Sequence, residues 1–320
     1  MEDTGKYYRF CYSPDILRWA INPPGFEKDW VIGVRVSKNK KLVGFISGIP
    51  VKTVVNGESM VMAEIDFLCV MAKLRTKRLA PVLIKEITRR INAKNVWQAI
   101  YTIGKYLPMP ISESNYYYRT LNYKKMSDIN FVTIPPKSNL KRQEKIYKLP
   151  DALTIPGIRK MVKKDAKQIL PLLKAYLSKF AIYPDFSVKE LKHLLVPRSN
   201  VVDTYVVEES VNEKEKKITD FVSFYTVDCG VLKHEAVAQY KGAYVFYYAS
   251  TKTSVTELVK QALIAASNSG HDIFFCLNIM ENKQFFEELK FTKGSGKLMY
   301  YLYNYATKNI PSEQLGFVLV

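Results

Sequence analysis

The chain of 320 residues nowhere shows the roughly 18 consecutive apolar residues that a membrane-crossing helix needs. Its start, MEDTGKYYRF, has no apolar h-region of a secretory signal. Cysteine is scarce: Cys11, Cys69, Cys229 and Cys276 stand alone, without the paired spacing of zinc or redox sites. A reducing, intracellular setting, the cytoplasm, is expected. The three histidines, His193, His234 and His271, lie far apart, and none sits in a nucleophile motif. A Ser-His-Asp or Cys-His engine is therefore not expected, nor is a catalytic metal. Neither a Gly-rich dinucleotide fingerprint nor a Walker loop occurs, so a Rossmann or P-loop nucleotide site is not expected.

Acids are outnumbered, 30 against 48 Lys and Arg, for a formal charge of +18. That excess favours anionic partners, whether nucleic acid, acidic membrane or a phosphorylated cofactor, without choosing among them. Hydrophobic residues make up 48%, enough for a sizeable core, and the length suits two units of about 150 residues each. The 22 Tyr and 16 Phe have two readings, a groove for a chain-like ligand or an aromatic core.

The order of elements repeats. Ser13-Pro14 opens a helix over DILRWAI, as N-cap and first helical residue. Strands are predicted at 30–36, 41–49 and 59–70, with VKTVV a further candidate and a hairpin turn at Asn56-Gly57. A helix over 80–92, a strand at WQAIYT, a helix near 113–121 and a strand at DINFVTI complete the first half. The second half begins with a helix from Asp165 to about Phe180 that contains Pro171. A shorter helix opens with a capping box, Ser187 and Glu190. Strands follow at 201–208, 218–227 and 243–249, then a helix from Ser254, with Glu257 completing its box, to near Gly270. HDIFFCLN reads as a strand, ENKQFFEEL as a helix and KLMYYLYNY as the last strand. The expected organisation is α+β with halves 1–153 and 154–320.

One stretch carries chemistry: FLCVMAKLRTKRLAPVLIKEI, residues 67–87. Lys73, Arg75, Lys77 and Arg78 crowd the start of a helix, where the dipole already favours negative charge. A polyanion held jointly by cations and free amides resolves that conflict; a solvated basic helix start is the alternative. Arg75-x-x-Arg78-x-Ala80, placed between antiparallel strands and a helix, has the spacing of the pyrophosphate loop of GNAT-type acyltransferases, which use coenzyme A. Cys69 alternates with Phe67 and Met71 and is expected in the core rather than as an acyl-accepting thiol.

EIDFLCVMAKLRTKRLAPVLIKEITRRI resembles the signature of the glycylpeptide N-tetradecanoyltransferases, the protein N-myristoyltransferases. So do YYRFCYSPDILRWAINPPGF, TDFVSFYTV, AYVFYYAST, MENKQFFEELKF, LMYYLYNY and the closing LGFVLV, in order over nearly the whole chain. The resemblance implies two pseudo-symmetric GNAT-like units sharing a mainly antiparallel, saddle-shaped sheet. It implies transfer of myristate from myristoyl-CoA, a co-substrate rather than a tightly bound cofactor, to an N-terminal glycine. Amides matching Phe67 and Leu68 would polarise the thioester carbonyl. Positions matching Phe67, Leu68, Cys69, Val70, Arg75, Thr76, Lys77, Arg78, Leu79, Ala80 and Pro81 would hold the CoA. The C-terminal carboxylate of Val320 would take the glycine proton, with Thr102 beside the amine. An α-amino group titrates near 7.7–8.0, so at neutral pH it needs such a base, while the attacking group itself comes from the substrate.

Tyr8, Phe10, Tyr12, Tyr116, Tyr225 and Tyr244 match the aromatic peptide groove. Four positions depart from the family: Asp66 for asparagine, Tyr118 for histidine, Cys229 for serine and Ser295 for an acid, with Glu2 and Asp3 keeping some negative charge nearby. The family's upstream segment, which helps cover the acyl-CoA, has no counterpart here, so a truncated form or a short member is expected, with CoA affinity at stake. The implied partners are N-terminal-glycine peptides and myristoyl-CoA, with no nucleic acid, for a monomer that visits membranes or ribosomes at most transiently. Competing readings are a GNAT-type enzyme with another acyl chain or amine, an impaired acyl-CoA or peptide binder, and a basic nucleic-acid binder whose aromatics lack RNP-like order.

Overall fold

Local signals set most of the elements. In the computed structural model, which describes residues 7–210, 212, 216–232, 234 and 236–319, Ser13 caps the first helix by accepting from the Ile16 amide at 3.2 Å. Ser187 and Glu190 form a complete capping box, with bonds of 3.3 and 2.7 Å. The box at Ser254 is half made: its hydroxyl accepts from Glu257 N, while the Glu257 carboxylate pairs with Lys260. Asn56 and Gly57, at φ of 50° and 89°, form the two-residue turn between paired residues Val55 and Glu58.

The described residues form thirteen strands: β1 Tyr8–Phe10, β2 Val31–Arg35, β3 Leu42–Val55, β4 Glu58–Val70, β5 Ala99–Ile103, β6 Ser112–Thr120, β7 Ile158–Lys160, β8 Ile182–Pro184, β9 Val202–Ser210, β10 Lys216–Val231, β11 Gln239–Ser250, β12 Ile273–Leu277 and β13 Thr292–Tyr303. The α-helices among them are α1 Pro14–Ile21, α2 Leu79–Asn92, α3 Tyr123–Asp128, α4 Leu140–Tyr147, α5 Ala166–Leu177, α6 Val188–Leu195 and α7 Val255–Asn268. One sheet runs β2-β3-β4-β5-β13-β6-β12-β11-β10-β9-β7, with β1 paired to β10 and β8 to β3. It is antiparallel except at β4–β5 and β11–β12.

Apart from β7, the order reads the same from either end. β5 and β12 each pair in parallel with the strand outside them over three residues, and each pairs inward with the last strand of the opposite half. β13 and β6 lie side by side at the centre, so the halves have exchanged their final strands. The short strands are exchanged too: β1 lies on the end of β10 and β8 on the end of β3. Across this pseudo-two-fold, Trp19 Nε1 donates to the His193 carbonyl at 3.1 Å, and His193 Nε2 meets the Trp19 carbonyl at 2.7 Å, an offset of 174 residues. The same offset separates Tyr8–Phe10 from Ile182–Pro184, and Ala99–Ile103 from Ile273–Leu277.

The two faces of the first-half strands bury different cores. Ile46, Ala63, Ala99 and the α2 residues Leu83, Ile87 and Ile91, spaced four apart along one helix face, form a small cluster. Val51, Met62 and Ile100 point the other way, into the main core that runs through the second half.

Three expected elements differ. Residues 113–121 are a strand, β6, not a helix: its tyrosines suit a pleated surface and it has partners on both sides, which override local preference. DINFVTI is not a strand; α3 ends at Asp128 and the chain turns past Asn130, whose φ is 59°. ENKQFFEEL makes only a 3₁₀ turn at Asn282–Phe285, too short a piece for α-helical bonding before Phe291 enters the core. VKTVV is the continuation of β3.

The final segment is wedged rather than trailing. A Cβ on Gly316 would stand 2.9 Å from the Phe180 ring and 3.1 Å from Tyr183 Cβ. Gly316→Ala is expected to cost about 1–3 kcal/mol through overpacking, read as a lowered thermal midpoint; a variant melting with the parent would show that the segment is free to shift.

Candidate active site

Strand register brings the scattered residues together. In antiparallel and parallel pairs alike, partner residues share a face. Glu64 pairs with Ile100, so Glu64, Asp66, Ile100 and Thr102 face one way. Thr102 pairs with Tyr300, and Tyr300 with Ser112, which carries the face to Ser114, Tyr116 and Tyr118. Tyr118 pairs with Phe275, Phe275 with Tyr244, and Tyr244 with Tyr225, whose strand then presents Cys229 opposite Phe10. This is the main-core face of the sheet. The rings are in contact: Tyr225 stacks on Tyr244 at 5.1 Å, Tyr116 meets Tyr244 at 6.4 Å, and Tyr12 stands edge-on to Phe67 at 5.3 Å. Tyr8 and Tyr118 both pack on Phe131, at 5.4 and 5.3 Å, and Phe10 lies 6.2 Å from Tyr12. Tyr225 is buried in the core, Tyr8, Tyr12, Tyr116, Tyr118 and Tyr244 are half-buried, and Phe10 is exposed.

The sheet opens where these residues meet. Pairing of β4 with β5 stops at Ile65 and Tyr101, so Asp66 and Thr102 are the first residues of two diverging strands. Immediately beyond, Phe67 and Leu68 together stand opposite Ile46, with Phe67 at a φ of 54°. Such a bulge places two residues against one and leaves the ladder unable to engage both main-chain donors. It also shifts the side-chain phase. Cys69 pairs with Phe45 and therefore lies on the Asp66 face, exposed rather than in the core as its alternation suggested. Leu68 is exposed as well.

The cations follow at once. Ala72–Lys77 winds as a 3₁₀ turn, Arg78 adopts a left-handed conformation (φ 56°, ψ 32°), and α2 starts at Leu79 with no side-chain cap and no acid in its first turn. A right-handed residue followed by a left-handed one turns successive N–H groups into a concavity suited to an anion. The helix amides of Leu79 and Ala80 add to it, while Pro81 has no N–H to leave unpaired. Arg75 reaches only the Val70 carbonyl, at 3.4 Å, and no acid among the described residues pairs with Lys73, Lys77 or Arg78. Arg75, Thr76, Lys77 and Arg78 are all exposed.

The approach to the C-terminus is buried beneath this face. Tyr300 donates its hydroxyl to the Phe317 carbonyl at 3.0 Å, and the Tyr247 hydroxyl accepts from Val318 N at 3.1 Å. Leu315 through Leu319 are buried. Val320, Glu2 and Asp3 lie outside the described residues. Ser295 is exposed on a GSG bulge of β13 that stands opposite Tyr116.

The histidines and Cys229 offer no ready nucleophile, while Cys69 is exposed on the Asp66 face. Burial pushes the Cys229 thiol up to about 12, so it is not a thiolate at neutral pH. His271 is buried against Thr226 and the Ala266 carbonyl and pushed down to about 4, His193 binds Trp19, and His234 accepts from Val237 N. Sequence reasoning passed over Glu64, Ser112, Ser114, Tyr247 and Tyr300. Glu64 left a visible signal, an acid inside the apolar strand MVMAEIDFLCV; the serines and tyrosines left none that distinguishes them from their neighbours.

Two family profiles match the chain: "Myristoyl-CoA:protein N-myristoyltransferase, N-terminal domain" over residues 1–114 and "Myristoyl-CoA:protein N-myristoyltransferase, C-terminal domain" over residues 128–316. The chain belongs to the N-myristoyltransferase family. It is 46% identical over 321 residues to glycylpeptide N-tetradecanoyltransferase 1 of Arabidopsis thaliana, covering all of this chain and 73% of that one. It is 45% identical over 319 residues to glycylpeptide N-tetradecanoyltransferase 2 of Danio rerio, covering all of this chain and 64% of that protein. Among solved structures, Saccharomyces cerevisiae N-myristoyltransferase with bound myristoyl-CoA superposes with a TM-score of 0.92 at 37% identity, over 97% of this chain and 75% of that one. The N-myristoyltransferase superposition extends over both halves of the sheet.

Replacing Arg75 and Arg78 together by alanine is expected to weaken binding of coenzyme A about 10–100-fold, two charge-assisted contacts being lost, and to flatten the salt dependence of that binding. Titration calorimetry at two ionic strengths checks both; unchanged affinity would remove the phosphate role from this turn.

Proposed function

We propose that the chain transfers myristate from myristoyl-CoA to the α-amino group of N-terminal glycine in proteins. The observation that carries this reading is the conjunction, at one opening of the sheet, of a cationic turn at an uncapped helix start, a strand bulge and a tyrosine-lined face. The first half, 1–153, would hold the acyl-CoA, and strands β10 and β11 of the second half, 154–320, would supply much of the peptide groove.

In this proposal the CoA pyrophosphate sits in the turn from Arg75 to Pro81, and the thioester carbonyl points at the main chain of Phe67 and Leu68. The neutral glycine amine attacks that carbonyl. An amide bond forms, the carbon–sulfur bond breaks, and coenzyme A leaves as its thiol, its sulfur taking up the proton that the attacking nitrogen gives up. Main-chain donors at a fixed bulge suit the charge that develops on the carbonyl oxygen, because they need no reorganisation. The ammonium proton goes to the carboxylate of Val320. A terminal carboxylate is a weak base in water, with a pKa of about 3.5, and burial strengthens it. Support for that role comes from the buried run ahead of Val320 and the two tyrosine hydroxyls that hold it. Thr102 is suited to hydrogen-bond the amine at the strand opening. Tyr8, Phe10, Tyr12, Tyr116, Tyr118, Tyr225, Cys229, Tyr244 and Ser295 would meet the peptide. We further propose a cytoplasmic monomer; the exposed free thiols of Cys11 and Cys69 fit a reducing compartment. No helix among the described residues is long and apolar enough to cross a membrane.

Labelled myristoyl-CoA should modify a peptide with free N-terminal glycine and spare its alanine and acetyl-glycine counterparts; label on all three, or on none, would refute the assignment. Deleting Val320 should lower kcat at least 100-fold, the scale of a lost general base, while acyl-CoA affinity stays within twofold. Undiminished turnover would take the base role from the terminal carboxylate.

A further inference from the structure

Two stretches of the chain, residues 30–57 and 67–85, contain no acid at all. The first carries Arg35, Lys38, Lys40, Lys41 and Lys52, the second Lys73, Arg75, Lys77, Arg78 and Lys85. Strand pairing sets them side by side. Gly44 pairs with Val70, and Met71 N donates to the Val43 carbonyl at 2.9 Å, so the turn joining β2 to β3 stands next to the turn that leads into α2. The helix start closes on the same place: a Cβ on Gly44 would stand 3.1 Å from Leu79 and 3.2 Å from Leu83. Lys52 lies at the other end of β3, where Asp185 binds it at 2.6 Å. Lys38, Lys40 and Lys41 are exposed, and no acid among the described residues pairs with them.

The β2–β3 turn is a built structure. Val36 N donates to the Lys41 carbonyl and Lys40 N to the Val36 carbonyl, at 3.0 and 2.8 Å. Lys41 N donates to the Asn39 side chain, and Arg35 Nη1 braces the Lys40 carbonyl at 2.9 Å. Lys40 takes a φ of 57°, a left-handed conformation that glycine or asparagine adopts at lower cost. Turn geometry asks for neither a lysine there nor two more beside it. In the second half, β9 and β10 occupy the places of β2 and β3, and there the charges are matched: Glu208 binds Arg159 and Lys216, and Glu209 binds Lys252. Lysines along an end strand also deter pairing between molecules. β2 is the end strand of this sheet, yet Val31 to Val34 carry no charge, and the cations gather at the tip instead.

Aliphatic side chains are exposed beside them: Val36, Leu42 and Val82 at 38%, 43% and 58%. Residues 31–44 and 68–85 include no aromatic, so this surface lacks the stacking platform of a single-strand nucleic-acid site. Unmatched ammonium groups flanked by short apolar tips fit an anionic bilayer, whose phosphates take the charges while the apolar tips reach the headgroup boundary.

We propose that the β2–β3 turn, through Lys38, Lys40 and Lys41, docks the protein on anionic phospholipid. This rests on the acyl-transfer reading and adds to it a source for the donor. A thioester with a 14-carbon chain is an amphiphile that partitions reversibly into bilayers. Docking beside the turn from Arg75 to Pro81 brings the opening at Phe67 and Leu68 to the surface where that donor is concentrated. The attachment is peripheral and electrostatic, so it weakens as salt rises.

The test mixes the whole protein with phosphatidylcholine vesicles prepared with or without phosphatidylserine. The parent is expected to sediment with the serine-containing vesicles alone, and to lose that binding at high salt. Lys38→Gln, Lys40→Gln and Lys41→Gln together should weaken vesicle binding about 10–100-fold, three cations being lost from a charged bilayer. Their thermal midpoint and their affinity for soluble coenzyme A should match the parent's. Transfer from donor free in solution should be equal in the two proteins, and only the parent should gain when the donor is presented on anionic vesicles. Equal vesicle binding by parent and variant, or binding by neither, overturns the proposal. So does a parent that ignores vesicles but binds an RNA oligonucleotide through the same lysines, which assigns the turn to nucleic acid. A parent that docks without gaining turnover overturns the donor-supply role. Docking without transfer to a glycine peptide from free donor would instead remove the acyl-transfer reading and leave the lipid surface standing.

Discussion

The site depends on how briefly β4 and β5 remain together. Parallel pairing lasts for three residues, Ala63 to Ile65 against Ala99 to Tyr101, and then the strands diverge. A sheet interior normally has no room for a ligand, because its main-chain groups bond to one another. Divergence releases those groups in pairs at a defined place, and the bulge at Phe67 turns the released strand sharply into the cationic turn. The same three-residue pairing recurs between β11 and β12, where the structure is closed by buried aromatics instead. One half of a symmetric frame is thus opened and the other filled.

Charge is distributed with the same asymmetry. The net excess of 18 positive charges is not spread against the acids to cancel them. Among the described residues, no acid pairs with Lys73, Lys77 or Arg78 at the helix start, and no cation pairs with Glu64 or Asp66 a few residues earlier in the chain. Attraction between opposite charges at that separation is weak across solvent-exposed surface and stronger through the interior. The fold keeps the two sets on different sides of the bulge, the cations exposed and the acids covered.

Much of this was legible in the linear order of residues, and the parts that were not have physical causes. Capping residues at Ser13 and Ser187 announced their helices because the bonds they make are local, within three residues. Asn56-Gly57 did the same for its hairpin. The segment 113–121 misled because β6 is held by partners more than 150 residues away, and no local pattern encodes them. The exposure of Cys69 was hidden by the bulge, since a one-residue phase shift leaves the spacing of apolar residues intact. The cationic stretch and the tyrosines were readable as residue types. That the tyrosines share one face became visible only through the pairing register of six strands. Glu64 and Asp66 could be seen as acids, but their lack of partners is a property of the folded neighbourhood.

The exchange of final strands has a bearing on how the protein comes into being. β5 has no partner on its inner side until β13 arrives, and β13 spans residues 292–303, near the far end of the chain. The amino-terminal half, once synthesised, would present β5 and β6 with open edges for as long as the remaining chain takes to emerge. Such edges are templates for unwanted pairing between molecules. Neither half is then a natural stopping point for folding: the sheet closes in a late, long-range step, and shielding of nascent chains during that interval becomes a requirement of the architecture itself.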